Sequence, residues 1–209
     1  MAPATARPRR RRDAVRRPQI LKTAIELVRE KGLWSVRISD IAERAGMSAP
    51  NVVYYFGTKD DLLVEAISAV DGAFYDDARS ALERLPRARD RLVALIVRSS
   101  TADWLLWMEL WVYARHHPDT AAAQRRFQRR WRRAVLEVIE LGVATGEWQV
   151  ANPADVAQRL CALTEGLAVQ MVLGDGDHTP ERYVELSLAA AALELGCDPA
   201  ELRTAAGAL

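Results

Sequence analysis

Nowhere along this chain does hydrophobicity alternate with a sustained period of two, whereas apolar residues recur at i, i+3, i+4 and i+7. Side chains repeat every 2.0 residues on a strand and every 3.6 on a helix, so the second pattern demands helices. The chain is therefore expected to be all-α. Prolines and glycines at 118, 142, 146, 153, 174, 176, 180 and 196 punctuate the later patterns, which gives about nine helices. There is no internal repeat.

The front of the chain is the most sharply divided. Ile20, Leu21, Ala24, Ile25, Leu27 and Val28 form one stripe, and Gly32 supplies a stop. A second, short stripe of Ile38, Ile41, Ala42 and Ala45 ends at Gly46. Ser48 then offers an N-cap for a third helix, with Pro50 in its first turn, where a missing N–H costs little. That helix runs only to about Tyr55 before Gly57 breaks it. Thr58 opens a fourth, with Asp61 as its capping-box partner and a stripe from Leu62 through Ile67 to Phe74, ended by Pro86.

Charge follows the same division. Residues 1–59 carry 13 Lys and Arg against 5 Asp and Glu, a net of +8, and the remainder carries a net of −7. A basic front on an acidic body points to a polyanion partner for the front alone. Residues 1–17 hold seven arginines without apolar periodicity. They are expected to be a basic arm, disordered when alone, that follows a phosphate backbone or enters a minor groove.

Two short helices joined by a glycine turn, flanked by one helix before and one after, describe a helix-turn-helix. In that unit the second short helix enters the major groove. Val52 and Phe56, at i and i+4, are expected to pack inward on Ile25 and Ile41. Ala49, Pro50, Asn51, Tyr54 and Tyr55 remain for the outward surface. Asn51 suits adenine or a phosphate, and Ala49 and Pro50 suit a thymine methyl. The tyrosine hydroxyls and Lys59 are placed to grip phosphates. The partner implied is double-stranded DNA. Residues 18–57 are taken as the reading domain, 58–209 as the body, and 58–85 as the linking helix.

The run Ile20 to Ile67, "ILKTAIELVREKGLWSVRISDIAERAGMSAPNVVYYFGTKDDLLVEAI", resembles the tetracycline-repressor (TetR) family of bacterial transcription regulators. The resemblance implies a homodimer on a palindromic operator, released when a small molecule binds the body. It places Ser48, Ala49, Pro50, Asn51, Tyr54 and Tyr55 at the DNA, Arg37 and Ser39 at the entry to the second helix near backbone or a guanine, and Lys59 on a phosphate. Two positions depart from the family pattern. Val53 stands where tyrosine is common, and Arg37 stands where a capping Ser or Thr is common, so either Ser39 takes over the cap or that helix starts less firmly.

In the body, Trp104, Trp107 with Met108, and Trp111 fall on one helical face, and Phe127, Trp131, Trp148 and Met171 add large apolar groups. Such a stripe is ordinarily core. The alternative is a cavity lined by Trp104, Trp107, Met108, Trp111, Phe127, Trp131 and Met171 for a flat apolar molecule or, through cation–π attraction, a quaternary amine. The segment loosely resembles the C-terminal domains of the choline-responsive betaine-gene regulators, which adds weight to the amine. The basic run "RRFQRRWRR" at 125–133 reads as a solvated face or a partner for the acidic body, and His116 and His117 as solvated helix-end residues. Helices at 153–174 and 180–196, each opening on proline and closing on glycine, match the position of the family's dimerising pair.

No nucleophile elbow, phosphate loop or metal-spaced His/Glu set is present, and Asp103 and Glu165 stand as isolated carboxylates. Neither an enzyme nor a cofactor is expected. Cys161 and Cys197 lack metal spacing, and no apolar run reaches membrane-spanning length, which together suit a reduced, cytoplasmic setting. The remaining rival is a helical polyanion-binding or protein-interaction module without a small-molecule ligand.

Overall fold

The computed structural model describes the backbone of residues 7–174 and 176–207, and the side chains of 15–174 and 176–207. Within it the chain is all-helical: α1 (Arg7–Lys31), α2 (Ile38–Arg44), α3 (Ala49–Phe56), α4 (Lys59–Leu82), α5 (Ala88–Ser100), α6 (Trp104–Ala114), α7 (Pro118–Thr145), α8 (Pro153–Leu173), α9 (Pro180–Leu195) and α10 (Pro199–Gly207). Ten helices stand among the described residues where about nine were expected, and α10 is one the sequence pattern did not resolve. α1 also begins well before Ile20, with Pro18 in its interior. The side chains of the arginine arm before Val15 lie outside the described residues.

The described chain divides into two compact units. One comprises Met1–Gly72 with Leu105–Gln124, and the other Ala73–Trp104 with Arg125–Leu209. The first division therefore falls at Gly72, not at Gly57, and it recruits most of α6 to the helix-turn-helix. Polar bonds explain the recruitment. The Glu109 carboxylate accepts the Leu33 N–H at the α1–α2 turn. The Tyr113 hydroxyl donates to Asp60 at 2.6 Å, and His117 shares a hydrogen bond of 2.9 Å with the same carboxylate. The rings of Tyr113 and His117 stack at 3.7 Å, and Trp34 lies tilted on Tyr113. His117 is thus a bonded residue and not the solvated helix end the sequence suggested. In the first unit's core, Ile20, Leu33, Val36, Ile41, Val52, Leu62, Leu63 and Ile67 are fully buried.

In the second unit α8 packs on α9, and α5 packs on α9 and α10. Trp148 closes the end of α7: its indole N–H donates to the Ile139 carbonyl at 2.8 Å, and its ring lies where a side chain on Gly142 would stand. Glu147 caps α5 from far along the chain, accepting the N–H groups of Ala88 at 2.7 Å and Arg89 at 3.0 Å. Those amides begin a helix and have no intrahelical acceptor of their own. Burial pushes the Glu147 carboxyl up, but these amides, Thr145 and the Arg89 side chain together hold it below the usual range.

Candidate functional site

The helix-turn-helix is assembled by few residues, each with a clear job. α2 opens at Arg37, in extended backbone, and the Asp40 carboxylate reaches back to accept the Arg37 N–H at 3.2 Å. Asp40 therefore supplies the cap, and Ser39 lies inside the helix with its side chain exposed. Both earlier alternatives for this start are superseded. Gly46 closes the turn with φ +66, a left-handed value that side chains with a Cβ rarely take. Ser48 sits at the N-cap of α3 with its carbonyl accepting the N–H groups of Asn51 and Val52, but its hydroxyl makes no capping bond. The hydroxyl stays exposed at the tip.

α3 presents two faces, as the spacing required. Val52 and Phe56 are buried, while Pro50, Asn51, Val53 and Tyr54 are exposed and Ala49 and Tyr55 are half-exposed. Tyr54 keeps 68% of its surface and meets Tyr55 edge to face at 5.6 Å. Val53, the departure from the family pattern, is exposed beside Asn51.

Arg17 is a residue that sequence reading left inside the basic arm. Its Nε donates to Glu65 at 2.7 Å, its Nη1 donates to the Tyr55 carbonyl at 2.7 Å, and its guanidinium lies 4.5 Å from the Phe56 ring centroid. The bonds to Glu65 outweigh burial and raise its already high pKa. One arginine thus joins α1, the end of α3 and α4. No spacing rule could have found it, since its partners are 38 and 48 residues away.

Lys59 is also placed differently from a free phosphate ligand. Its ammonium donates to the carbonyls of Leu33 at 3.1 Å and Trp34 at 3.4 Å, and lies 5.6 Å from the Tyr113 ring centroid. Burial lowers its pKa, against the pull of Asp60 and Asp40. The helix it opens starts as expected: Thr58 and Asp61 form the reciprocal box, with Asp61 N–H on the Thr58 hydroxyl at 3.0 Å and Thr58 N–H on the carboxylate at 3.2 Å.

The residues expected to line a ligand cavity do not gather in one unit. Trp107, Met108 and Trp111 belong to the first unit, and Trp104, Phe127, Trp131 and Met171 to the second. Trp104 is core: it is buried and its indole N–H donates to the Ser99 carbonyl at 2.7 Å. Trp131 is different. It is half-buried, edge-on to Phe74 at 6.3 Å, and its indole N–H is buried without an acceptor.

Around Trp131 the second unit carries polar groups that apolar periodicity concealed. Gln128 donates to Glu165 at 3.5 Å, and Arg132, with a buried Nε lacking an acceptor, acts on the same carboxylate. Burial pushes the Glu165 carboxyl up, and the pull from Gln128 and Arg132 only partly offsets it. The Tyr183 and Ser99 hydroxyls share a bond of 2.9 Å, and burial pushes the Tyr183 phenol up to about 12 and the Cys161 thiol to about 12. Most of the basic run is a solvated face, as expected, with Arg133 bonded to Glu137 and Arg130 over the Tyr75 ring. Arg132 is its half-buried member.

Among the described residues no group of His, Cys, Asp and Glu could hold a metal ion, and no helix is long and apolar enough to cross a membrane.

Comparison with known proteins agrees with this geometry. Residues 20–66 match the family described as bacterial regulatory proteins, tetR family, and residues 81–196 match the BetI-type transcriptional repressor C-terminal family. The HTH-type transcriptional regulator BetI of Rhizobium meliloti is 28% identical over 185 residues, covering 84% of this chain and 87% of the relative. A transcriptional regulator from Saccharomonospora viridis, solved in complex with choline, is 27% identical at TM-score 0.76, covering 82% of this chain and 92% of that one. A TetR transcription regulator from Haloarcula marismortui shares the fold at TM-score 0.79 and 21% identity, over 87% of this chain and 99% of that one.

Proposed function

The chain belongs to the TetR family of transcription regulators and carries its BetI-type C-terminal domain, and from that premise we propose a homodimeric repressor that leaves its operator when a small apolar, aromatic or amine effector binds. The observation that carries the reading is the two-faced α3. Its inward face is buried, and its outward face offers Asn51, Tyr54 and the unspent Ser48 hydroxyl. Each is a group that reads a base edge or a phosphate, and none serves the core. Ala49 and Pro50 keep the tip short enough for close approach to a thymine methyl. Arg37 and Ser39, exposed at the start of α2, are proposed backbone contacts. Two of the Lys59 ammonium donors serve carbonyls, so its proposed role is to position the turn and add charge there.

The dimer surface is proposed on α8 and α9. Leu173 and Leu193 keep 74% and 84% of their surface, while Ala191 and Ala192 are spent on packing inside the subunit. A two-fold pair places two recognition helices on half-sites about 34–36 Å apart. The small effector is supported by the choline complex of the Saccharomonospora viridis regulator.

The test is binding to the DNA immediately upstream of the protein's own gene, against a scrambled duplex, at two salt concentrations. Specific retention at the higher salt, with protected bases in two-fold arrangement, is the expected result. Equal binding to both duplexes, falling steeply with salt, would leave a polyanion binder and remove the proposal.

A further inference from the structure

The second unit contains buried hydrogen-bonding groups that its own folding leaves unanswered. The Trp131 indole N–H, the Arg132 Nε and the Ser187 hydroxyl are each buried without a partner, and Ser187 is wholly enclosed. Such orphans are uncommon in a settled interior, because each forfeits its hydration with no return. They are not scattered. Gln128, Trp131 and Arg132 lie at i, i+3 and i+4 on α7, so they share a face, and that face meets Glu165 on α8 through Gln128 at 3.5 Å. Tyr183 and Ser187 lie at i and i+4 on α9, and the Tyr183 hydroxyl feels the Glu165 charge.

Glu165 is the other half of the puzzle. It is a half-buried carboxylate whose hydrogen bond is the long one from Gln128, and no basic group stands within ion-pair distance of it among the described residues. A carboxylate is seldom enclosed so far unless a cation compensates it. Aromatic faces frame it on two helices, Trp131 on α7 and Tyr183 on α9. A carboxylate beside aromatic faces takes an organic cation, while the orphan N–H groups require an acceptor oxygen.

We infer that Glu165, Trp131, Arg132 and Ser187 form the effector site of the second unit, and that it takes a small organic ammonium bearing an oxygen function. The ammonium lies against Glu165 and the aromatic faces, and the oxygen accepts from the orphan donors. This rests on the ligand-responsive reading above and narrows it: the site is a polar cluster on α7, α8 and α9, and not the tryptophan stripe of α6.

Three probes of similar size test it by calorimetry on the full-length protein: choline, its uncharged isostere 3,3-dimethylbutan-1-ol, and tetramethylammonium, which has the charge without the oxygen. Choline is expected to bind best. The uncharged isostere should be weaker by about thirtyfold or more, and tetramethylammonium by about threefold to tenfold. Glu165→Gln should lose choline binding by a similar factor while keeping its melting temperature and its affinity for operator DNA. Trp131→Phe, which removes only the indole N–H and ring area, should weaken choline and leave tetramethylammonium less affected. Equal binding of choline and its isostere, no binding of choline at all, or a Glu165→Gln variant that binds like the parent overturns the inference. Operator affinity keeps the two readings apart: specific DNA binding released by some other molecule leaves the regulator standing without this site, whereas absence of specific DNA binding removes the regulator regardless of what choline does.

Discussion

Arg17 and Glu165 are both charged residues inside helical patterns, and tertiary contacts give them opposite tasks. Arg17 is answered on every side, by Glu65, the Tyr55 carbonyl and the Phe56 ring. Its side chain is nonetheless substantially exposed, so solvent screens the ion pair. Arg17→Ala is expected to destabilise the protein by only about 1 kcal/mol. It should lower operator affinity more than that loss suggests, because the end of α3 is released; a binding isotherm beside a denaturant curve checks both. Glu165 answers to pH. Its folded-state pKa is raised by burial, so the protonated form is the one folding favours. Its contribution to stability is full at low pH and is lost as pH rises through the folded value. The melting temperature of Glu165→Gln, relative to the parent, should therefore increase from about pH 4 to about pH 7. By the same linkage a cation that prefers the ionised carboxylate binds more tightly as pH rises. A difference in melting temperature that stays flat would show the carboxyl to be ordinary.

Helix ends decide matters at the next scale. Three starts illustrate three degrees of locality. α4 is capped by its own Thr58 and Asp61, a signal readable in the sequence. α2 lacks a capping hydroxyl, and Asp40 supplies the reciprocal bond from within the helix. α5 is capped by Glu147, some 58 or 59 residues away, and no local reading could have shown it. Glu147→Ala would leave two amides without that acceptor and is expected to cost roughly 2–3 kcal/mol, because hydrogen bonds to charged groups are the stronger kind. The parent itself should lose this term as pH falls through the depressed Glu147 pKa, whereas the alanine variant should not. Urea denaturation at two pH values measures the difference. The end of α7 is equally constrained. A Cβ on Gly142 would lie 2.0 Å from the Trp148 ring, so Gly142→Ala must expel the indole from its bond to Ile139. A loss of about 1–3 kcal/mol, with a changed tryptophan fluorescence, is the expected signature.

For the molecule as a whole, the exposed leucines of α8 and α9 decide the oligomer. Leu173→Glu with Leu193→Glu adds charge to surface that already lies outside the subunit core. The folded monomer should survive with a normal helical spectrum, while sedimentation shows loss of the dimer and operator binding weakens about a hundredfold or more as two half-sites cease to be read together. An unchanged sedimentation coefficient would place the interface elsewhere.

The all-α class and the helix-turn-helix were legible in the residues themselves, because periodicity and glycine punctuation are local properties of the chain. The inward pair Val52 and Phe56 and the outward Asn51 and Tyr54 followed from spacing alone, and the fold kept both faces. The residues that lock or tune the units were not legible. Arg17, Glu109, Tyr113, His117 and Glu147 act on partners far along the chain. Hydrophobic pattern records which face is buried but not what a buried polar atom meets. For that reason the sequence drew the eye to tryptophans, which are large and periodic, and passed over Glu165. Its burial, and the orphaned donors on neighbouring helices, exist only once α7, α8 and α9 are folded together.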